Sequence, residues 1–223
     1  MSELVCVIPA LDAAATLPQV LDAVRDSLPD VAIVGIDDGS HDDTGNVLRA
    51  GCDVADSFRH NRGKGAALRA GFAHALRIGA RVVVTLDADG QHDPRYAPKL
   101  VAALDEADIA IGERTRTGTA MPLRRRVSNA LSTAAISAVA GRRLPDTQCG
   151  FRAMRREVIE RVTAVGDRYE FETDFIIRAA RKGFSIVAVP IPTIYGSASH
   201  FRECRDALRV VATIWRHRAS ASA

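Results

Sequence analysis

The sequence predicts an α/β fold, with one mostly parallel sheet covered by helices on both faces. Three observations predict it. The runs at 4–8, 31–36 and 81–86 are almost continuously apolar, and strands without a polar face are buried on both sides. Helical periods separate these runs, and strands alternating with helices read as βαβ units. The chain has 223 residues, 47% hydrophobic and 26% charged, the proportions of an ordinary globule rather than a disordered or fibrous chain. At that size folding buries on the order of 70% of the unfolded surface, so no disulfide or metal staple is required. No linker interrupts the pattern, and a single domain over 1–223 is expected.

The elements follow in order. Residues 4–8 form a strand ended by Pro9. Thr16 caps a helix whose apolar face is Leu17, Val20, Leu21 and Val24. The second strand, 31–36, is followed by Ser40-His41-Asp42-Asp43, with capping-box spacing before a short helix. A weak strand falls near Val54. A helix at 66–78 carries Leu68, Phe72, Ala75 and Leu76 on one face, and 81–86 is the clearest strand. Asp93-Pro94 starts another helix, 108–111 reads as a strand, and 113–123 as a loop. Near the end, Phe201, Cys204, Leu208, Val211 and Trp215 recur at helical spacing beside Arg202, Arg205, Arg209 and Arg216. That pattern fits an amphipathic helix packed on the sheet, or one lying on anionic lipid.

Charge is segregated along the chain. Residues 1–111 hold 10 Lys+Arg against 17 Asp+Glu, net −7, whereas 112–223 hold 20 against 10, net +10. Two surfaces of opposite preference are implied. The cysteines Cys6, Cys52, Cys149 and Cys204 form no CxxC pair, as expected of free thiols in a reducing, cytoplasmic compartment. The start, MSELVCVIPA, lacks the charged and apolar regions of a signal peptide. The longest uncharged stretches, 127–141 and 185–199, are too short to span a bilayer of about 20 residues. No nucleic-acid-binding signature accompanies the arginines, and aromatics are only 5%.

In a parallel sheet, ligands bind beyond the carboxyl ends of the strands. Two acidic clusters fall there: Asp37-Asp38-Gly39-Ser40 and Asp87-Ala88-Asp89-Gly90-Gln91-His92. Two carboxylates at i and i+2 can share a hard divalent cation, with Gln91 as a neutral oxygen donor; Mg²⁺ typically takes one or two carboxylates plus phosphate oxygens and water. A lone DxD is equally a solvated turn, but the paired cluster favours a site. Asn61-Arg62-Gly63-Lys64-Gly65 opens a helix, where backbone N–H groups, Arg62 and Lys64 can meet a substrate anion. Neither a Walker A loop nor a GxGxxG motif is present.

These motifs, in this order after Ile8-Pro9-Ala10, resemble family 2 glycosyltransferases, within them the dolichol-phosphate mannose and polyprenyl-phosphate glucose synthase branch. Gly112-Glu113-Arg114, Arg124-Arg125-Arg126-Val127-Ser128-Asn129, Asp146-Thr147-Gln148-Cys149-Gly150-Phe151-Arg152 and an acidic segment at 169–174 extend the likeness to about 4–210. The resemblance implies a single-domain, Rossmann-like GT-A fold and an inverting, metal-dependent hexosyltransferase. Pro9, Ala10, Asp37 and Asp38 would hold the nucleoside. Asp87, Asp89 and Gln91 would bind Mg²⁺ or Mn²⁺, and Arg114, Arg124 and Ser128 the acceptor phosphate. Asp146 and Gln148 would touch sugar hydroxyls or order the acceptor loop. Asp89, Arg114 and Arg124 are the residues expected to act most directly in transfer. The implied partners are a GDP- or UDP-hexose and a polyprenyl phosphate or similar lipid-linked acceptor. Leu11 and Ala13 stand where the family usually has Tyr and Glu, which leaves the nucleotide open. Many relatives continue into transmembrane helices, so peripheral membrane contact or a membrane-protein partner is expected here.

Two other readings remain at this point. A hydroxyl acceptor would need a general base, with Asp146 or Glu172 as candidates. A sugar-nucleotide-binding protein without catalysis would keep the donor site alone. Glu170, Glu172 and Asp174 otherwise suit the positive end of a helix, with Glu172 singled out as the exception. His92 is expected to shape its loop rather than bind metal.

Overall fold

The computed structural model describes residues 3–114, 123–192 and 211–217; the side chains of 123–131 lie outside that description. Seven strands form one sheet: β1 (Leu4–Ala10), β2 (Ala32–Asp37), β3 (Val54–Ser57), β4 (Val82–Thr85), β5 (Ile109–Arg114), β6 (Arg152–Arg155) and β7 (Ile186–Ile191). Their order is β3-β2-β1-β4-β6-β5-β7. Only β6 runs antiparallel to its neighbours, β4 and β5; the other pairs are parallel. The mostly parallel sheet expected from the apolar runs is therefore present. Val5, Val7, Ile8, Ile33, Ile36, Val83 and Ile109 are fully buried.

Helices α1 (Leu17–Ser27), α2 (Thr44–Gly51), α3 (Lys64–Arg77), α4 (Ala97–Ala102), α5 (Leu123–Ala140), α6 (Arg156–Arg161) and α7 (Glu170–Arg181) join and cover the strands. Helix α3 lies against β1 and β2. Its Gly71 permits that approach, since a Cβ there would sit 2.3 Å from Val7 Cγ1. Phe72 of α3 meets Phe171 and Phe175 of α7 at ring-centroid distances of 6.4 and 5.9 Å. This cluster packs the middle of α3 against the first half of α7.

Three local expectations are corrected. Strand β1 runs on through Pro9 and Ala10. The β1–β4 ladder ends at Val7 opposite Thr85, so Pro9 lies past the last bond that β4 would ask of it. Thr16 stands at the start of α1 but makes no side-chain cap; its hydroxyl donates to Ala88 O at 2.7 Å, tying the first loop to the Asp87–Asp89 loop. Asp43, not Ser40, precedes α2, and Ser40 instead donates to Asp37 Oδ1 at 2.5 Å.

The C-terminal amphipathic pattern is also corrected where it is described. In the helical stretch 211–217, Thr213 and His217 are buried, while Val211 and Trp215 are 48% and 66% exposed. His217 turns inward because its Nε2 meets the buried Asp174 Oδ1 at 2.6 Å. The expected residues 201–208 of that face, most of the 113–123 loop and Cys204 lie outside the described residues. Cys6 and Cys149 are buried free thiols and Cys52 is half-buried. Among the described residues no helix is long and apolar enough to cross a membrane.

Candidate active site

The strand order reverses beside β1: the chain moves to β2 and β3 on one side, then returns to β4 on the other. A crevice opens beyond the carboxyl ends at such a switch point. Asp37, Asp38, Asp87 and Asp89 stand at the strand ends and loops that border it.

Asp37 closes β2, paired with Ala10 at the end of β1. Its Oδ1 accepts from Ser40 N at 2.9 Å. The Asp38 amide donates to Ala10 O at 2.8 Å. The Asp38 carboxylate accepts from Arg62 N at 2.8 Å and Gly63 N at 2.9 Å. Burial raises the Asp38 pKa despite those two amides. Asp38 thus anchors the Asn61–Gly65 loop with the same carboxylate that the family resemblance would give to the nucleoside. Gly63, at φ +109°, lets the loop run against the segment that leads into α7; a Cβ would sit 2.4 Å from Asp167 O.

Lys64 begins α3 and points its ammonium at Asp87. The Nζ lies 2.7 Å from Asp87 Oδ1, 3.0 Å from Oδ2 and 3.0 Å from Glu172 Oε2. Burial alone would lower the Lys64 pKa, but the Asp87 and Glu172 carboxylates outweigh it and raise it. Burial would likewise raise Asp87, and Lys64 with His92 and Arg152 pulls it below the usual carboxylate range. Asp89 and Gln91 follow in the half-exposed loop, where Gln91 N donates to Asp89 Oδ1 at 3.0 Å. His92 is buried, stacks on Phe151 at 5.9 Å and sits 3.7 Å from Cys149 Sγ. Burial pushes its pKa down to about 4, so it is a neutral, loop-shaping imidazole. Burial pushes the Cys149 thiol up to about 12, which leaves it unreactive.

On the other side, Arg114 ends β5 and grips Asp146 with two bonds, Nε to Oδ2 at 2.6 Å and Nη2 to Oδ1 at 3.0 Å. Gln148 N donates to Asp146 Oδ1 at 3.1 Å, and its side chain reaches Ser132 Oγ at 3.4 Å. Arg152, only 3% exposed, donates to Cys149 O and Thr147 O at 2.8 and 3.0 Å. Gly150 brings this loop to the donor carboxylate: a Cβ there would lie 2.6 Å from Asp87 Oδ2 and 2.9 Å from Lys64 Nζ. Arg124 and Ser128 stand one turn apart on α5; their side chains lie outside the described residues.

Sequence reasoning missed two roles in this arrangement. Glu172 was named only as a general-base candidate and not as a partner of Lys64, and Arg152 only as the last letter of the Asp146–Arg152 motif. A charge pair spanning Lys64 and Glu172 has no local sequence signal.

Residues 5–163, from β1 through α6, match the family described as Glycosyl transferase family 2. The chain belongs to glycosyl transferase family 2. It is 38% identical over 199 residues to the polyprenol monophosphomannose synthase of Mycolicibacterium smegmatis, covering 83% of this chain and 75% of that one. It is 34% identical over 196 residues to the undecaprenyl-phosphate mannosyltransferase of Micrococcus luteus, covering 83% and 81%. Among solved structures, the glucosyl-3-phosphoglycerate synthase of Mycobacterium tuberculosis, in complex with Mn²⁺, UDP and phosphoglyceric acid, matches with a TM-score of 0.78. That match is 21% identical and covers 96% of this chain and 78% of the other, and it shows the shared GT-A fold. As a family 2 chain with this fold, the protein is a glycosyltransferase.

A divalent cation suits the oxygens of Asp87, Asp89 and Gln91. An ammonium already stands against Asp87, so the position tolerates positive charge. Among the described residues no three His, Cys, Asp or Glu side chains form a ready cage.

Proposed function

We propose that the protein transfers a hexose from a GDP- or UDP-hexose to a polyprenyl phosphate, with inversion and with Mg²⁺ or Mn²⁺. The observation that carries the reading is the contact at Gly150. It sets the Lys64–Asp87 donor site directly against the loop that holds Arg114 and Asp146. The acidic half, 1–111, serves the donor and the basic half, 112–223, the acceptor.

Pro9, Ala10, Asp37 and Asp38 form the nucleoside end, with Asp38 acting through the glycine loop that it anchors. Lys64 meets the diphosphate. Asp87, Asp89 and Gln91 hold the metal, which when bound neutralises charge on the leaving diphosphate. Arg114, Arg124 and Ser128 take the acceptor phosphate, a role suited to the planar guanidinium. Asp146 orients Arg114 through two bonds, and Gln148 braces the same loop. A phosphate monoester is ionised near pH 7, so its oxygen can attack the anomeric carbon without a strong base. The two base candidates of the hydroxyl-acceptor reading are both engaged by cations: Asp146 by Arg114, and Glu172 by Lys64 with Arg152 at 3.8 Å. Both carboxylates are thus occupied as ion-pair partners, which favours the phosphate acceptor.

Membrane contact is peripheral and cytoplasmic in this reading. Exposed Val211 and Trp215 share a helical stretch with Arg216, beside a cavity of about 410 Å³ lined by Arg178, Arg181, Lys182, Arg216 and His217. Exposed aromatics next to basic side chains suit an anionic lipid surface.

The test is a donor panel. Purified protein is incubated with GDP- and UDP-hexoses, detergent-dispersed polyprenyl phosphate and Mg²⁺ or Mn²⁺. Lipid-linked sugar that disappears with EDTA is expected with one donor. Nucleotide release that never yields lipid-linked sugar from any donor would sink the proposal.

A further inference from the structure

We infer that Glu172 is a positioning residue that works through Lys64, coupling metal capture at Asp87 to the arrival of the donor diphosphate. The inference rests on the donor half of the reading above and is independent of the acceptor.

Three carboxylate oxygens from two side chains converge on one ammonium: Asp87 at 2.7 and 3.0 Å, Glu172 at 3.0 Å. The three residues come from separate elements, namely the start of α3, the loop after β4 and the first turn of α7. Close packing fixes their spacing: a Cβ on Gly65 would lie 2.4 Å from Phe171 Cβ, and one on Gly150 2.6 Å from Asp87 Oδ2. Lys64, Glu172 and Asp87 side chains are 15%, 12% and 26% exposed, so solvent screens the triad weakly.

The two carboxylates are not equivalent. Glu172 has a second cation, since Arg152 lies 3.8 Å from its Oε1. It stays compensated whatever Lys64 does. Asp87 relies chiefly on Lys64 for close compensation. A divalent cation approaching Asp87 alone must displace that ammonium, and Glu172 is what keeps the displaced ammonium favourably placed. When a diphosphate arrives with the metal, the roles separate: Asp87 turns to the metal and Lys64 to phosphate oxygens, still beside Glu172. Each ligand thereby removes an obstacle to the other, and the coupling is reciprocal.

The experiment measures Mn²⁺ binding by the loss of the free-ion electron paramagnetic resonance signal, without acceptor, with and without UDP or GDP. Wild type is expected to bind Mn²⁺ alone weakly and to gain roughly 5–150-fold with one of the nucleotides. Lys64→Met should bind Mn²⁺ alone more tightly than wild type and lose most of the gain. Glu172→Gln should bind Mn²⁺ alone more weakly, because the displaced ammonium has no partner, yet show a larger gain. The double variant Lys64→Met/Glu172→Gln removes one charge of each sign, protecting the fold, and should bind Mn²⁺ alone tightly with almost no gain. The inference is overturned if neither nucleotide tightens Mn²⁺ binding to wild type. It is equally overturned if the folded Lys64→Met or double variant keeps the wild-type gain, or if Glu172→Gln leaves both affinities unchanged. A failure to make lipid-linked sugar would leave these affinities as expected, so the two proposals fail separately.

Discussion

Gly150→Ala is a small change aimed at the join between donor and acceptor sides. Its Cβ would stand 2.6 Å from Asp87 Oδ2, 2.9 Å from Lys64 Nζ and 3.1 Å from Asp87 Cγ. Ordinary contact begins near 3.4 Å, so loop and carboxylate must separate by roughly 0.8 Å, in a site where a 1 Å misplacement can cost about 100-fold in rate. The groups that must move are side-chain ends, and overpacking of this kind costs about 1–3 kcal/mol; the lower end is expected. Urea unfolding and steady-state donor turnover are measured on the same preparation. The expected outcome is a loss of about 1 kcal/mol with a drop of about 10–100-fold in kcat/KM. Gly79→Ala is the control: φ is +91° and nothing lies within 4 Å, so it should cost about 1 kcal/mol of stability and leave turnover alone. Wild-type turnover in folded Gly150→Ala, or equal kinetic losses in both variants, would refute the reasoning.

Three further outcomes are expected. Asp38→Asn keeps one acceptor oxygen but sets an NH₂ against the Arg62 and Gly63 amides; a loss of about 2 kcal/mol in urea unfolding is expected. His92 has its folded pKa depressed to about 4, so its neutral form is the one that folding favours. Its contribution is complete above pH 6.5 and is lost as pH falls towards 4, by about 3 kcal/mol. Metal-free stability of His92→Phe should therefore lack part of the wild-type decline between pH 6.5 and 4. Trp215→Ser should reduce co-sedimentation with vesicles containing anionic lipid, and added salt should weaken what binding remains; unchanged binding would remove this helix from the membrane surface.

How much of this was legible depended on the range of the signal. Strands β1, β2 and β4 were readable because burial on both faces leaves an unbroken apolar run. Strand β6 was not. Its sequence is Arg-Ala-Met-Arg, and nothing local says that Arg152 is buried, because the carbonyls that satisfy it belong to its own folded loop. Thr16 and Ser40 have cap chemistry, yet the Thr16 hydroxyl goes to Ala88 O in a distant loop and the Ser40 hydroxyl to Asp37, three residues back. The strand-end carboxylates were found because topology alone places them. Lys64 and Glu172 were each visible, but their pairing required the Phe72–Phe171–Phe175 packing that brings α3 and α7 together. For Trp215, packing on the sheet and lying on lipid both fitted the spacing, because spacing cannot tell that Asp174 would claim His217.

The central claim is that a lipid phosphate accepts the sugar through Arg114. The direct measurement compares sugar transfer to a polyprenyl phosphate and to the corresponding polyprenol, by wild type and Arg114→Ala, with donor hydrolysis followed in parallel. Wild type is expected to transfer to the phosphate alone, and Arg114→Ala to lose that transfer while retaining hydrolysis. Transfer to the free alcohol, or undiminished transfer to the phosphate by Arg114→Ala, would contradict it.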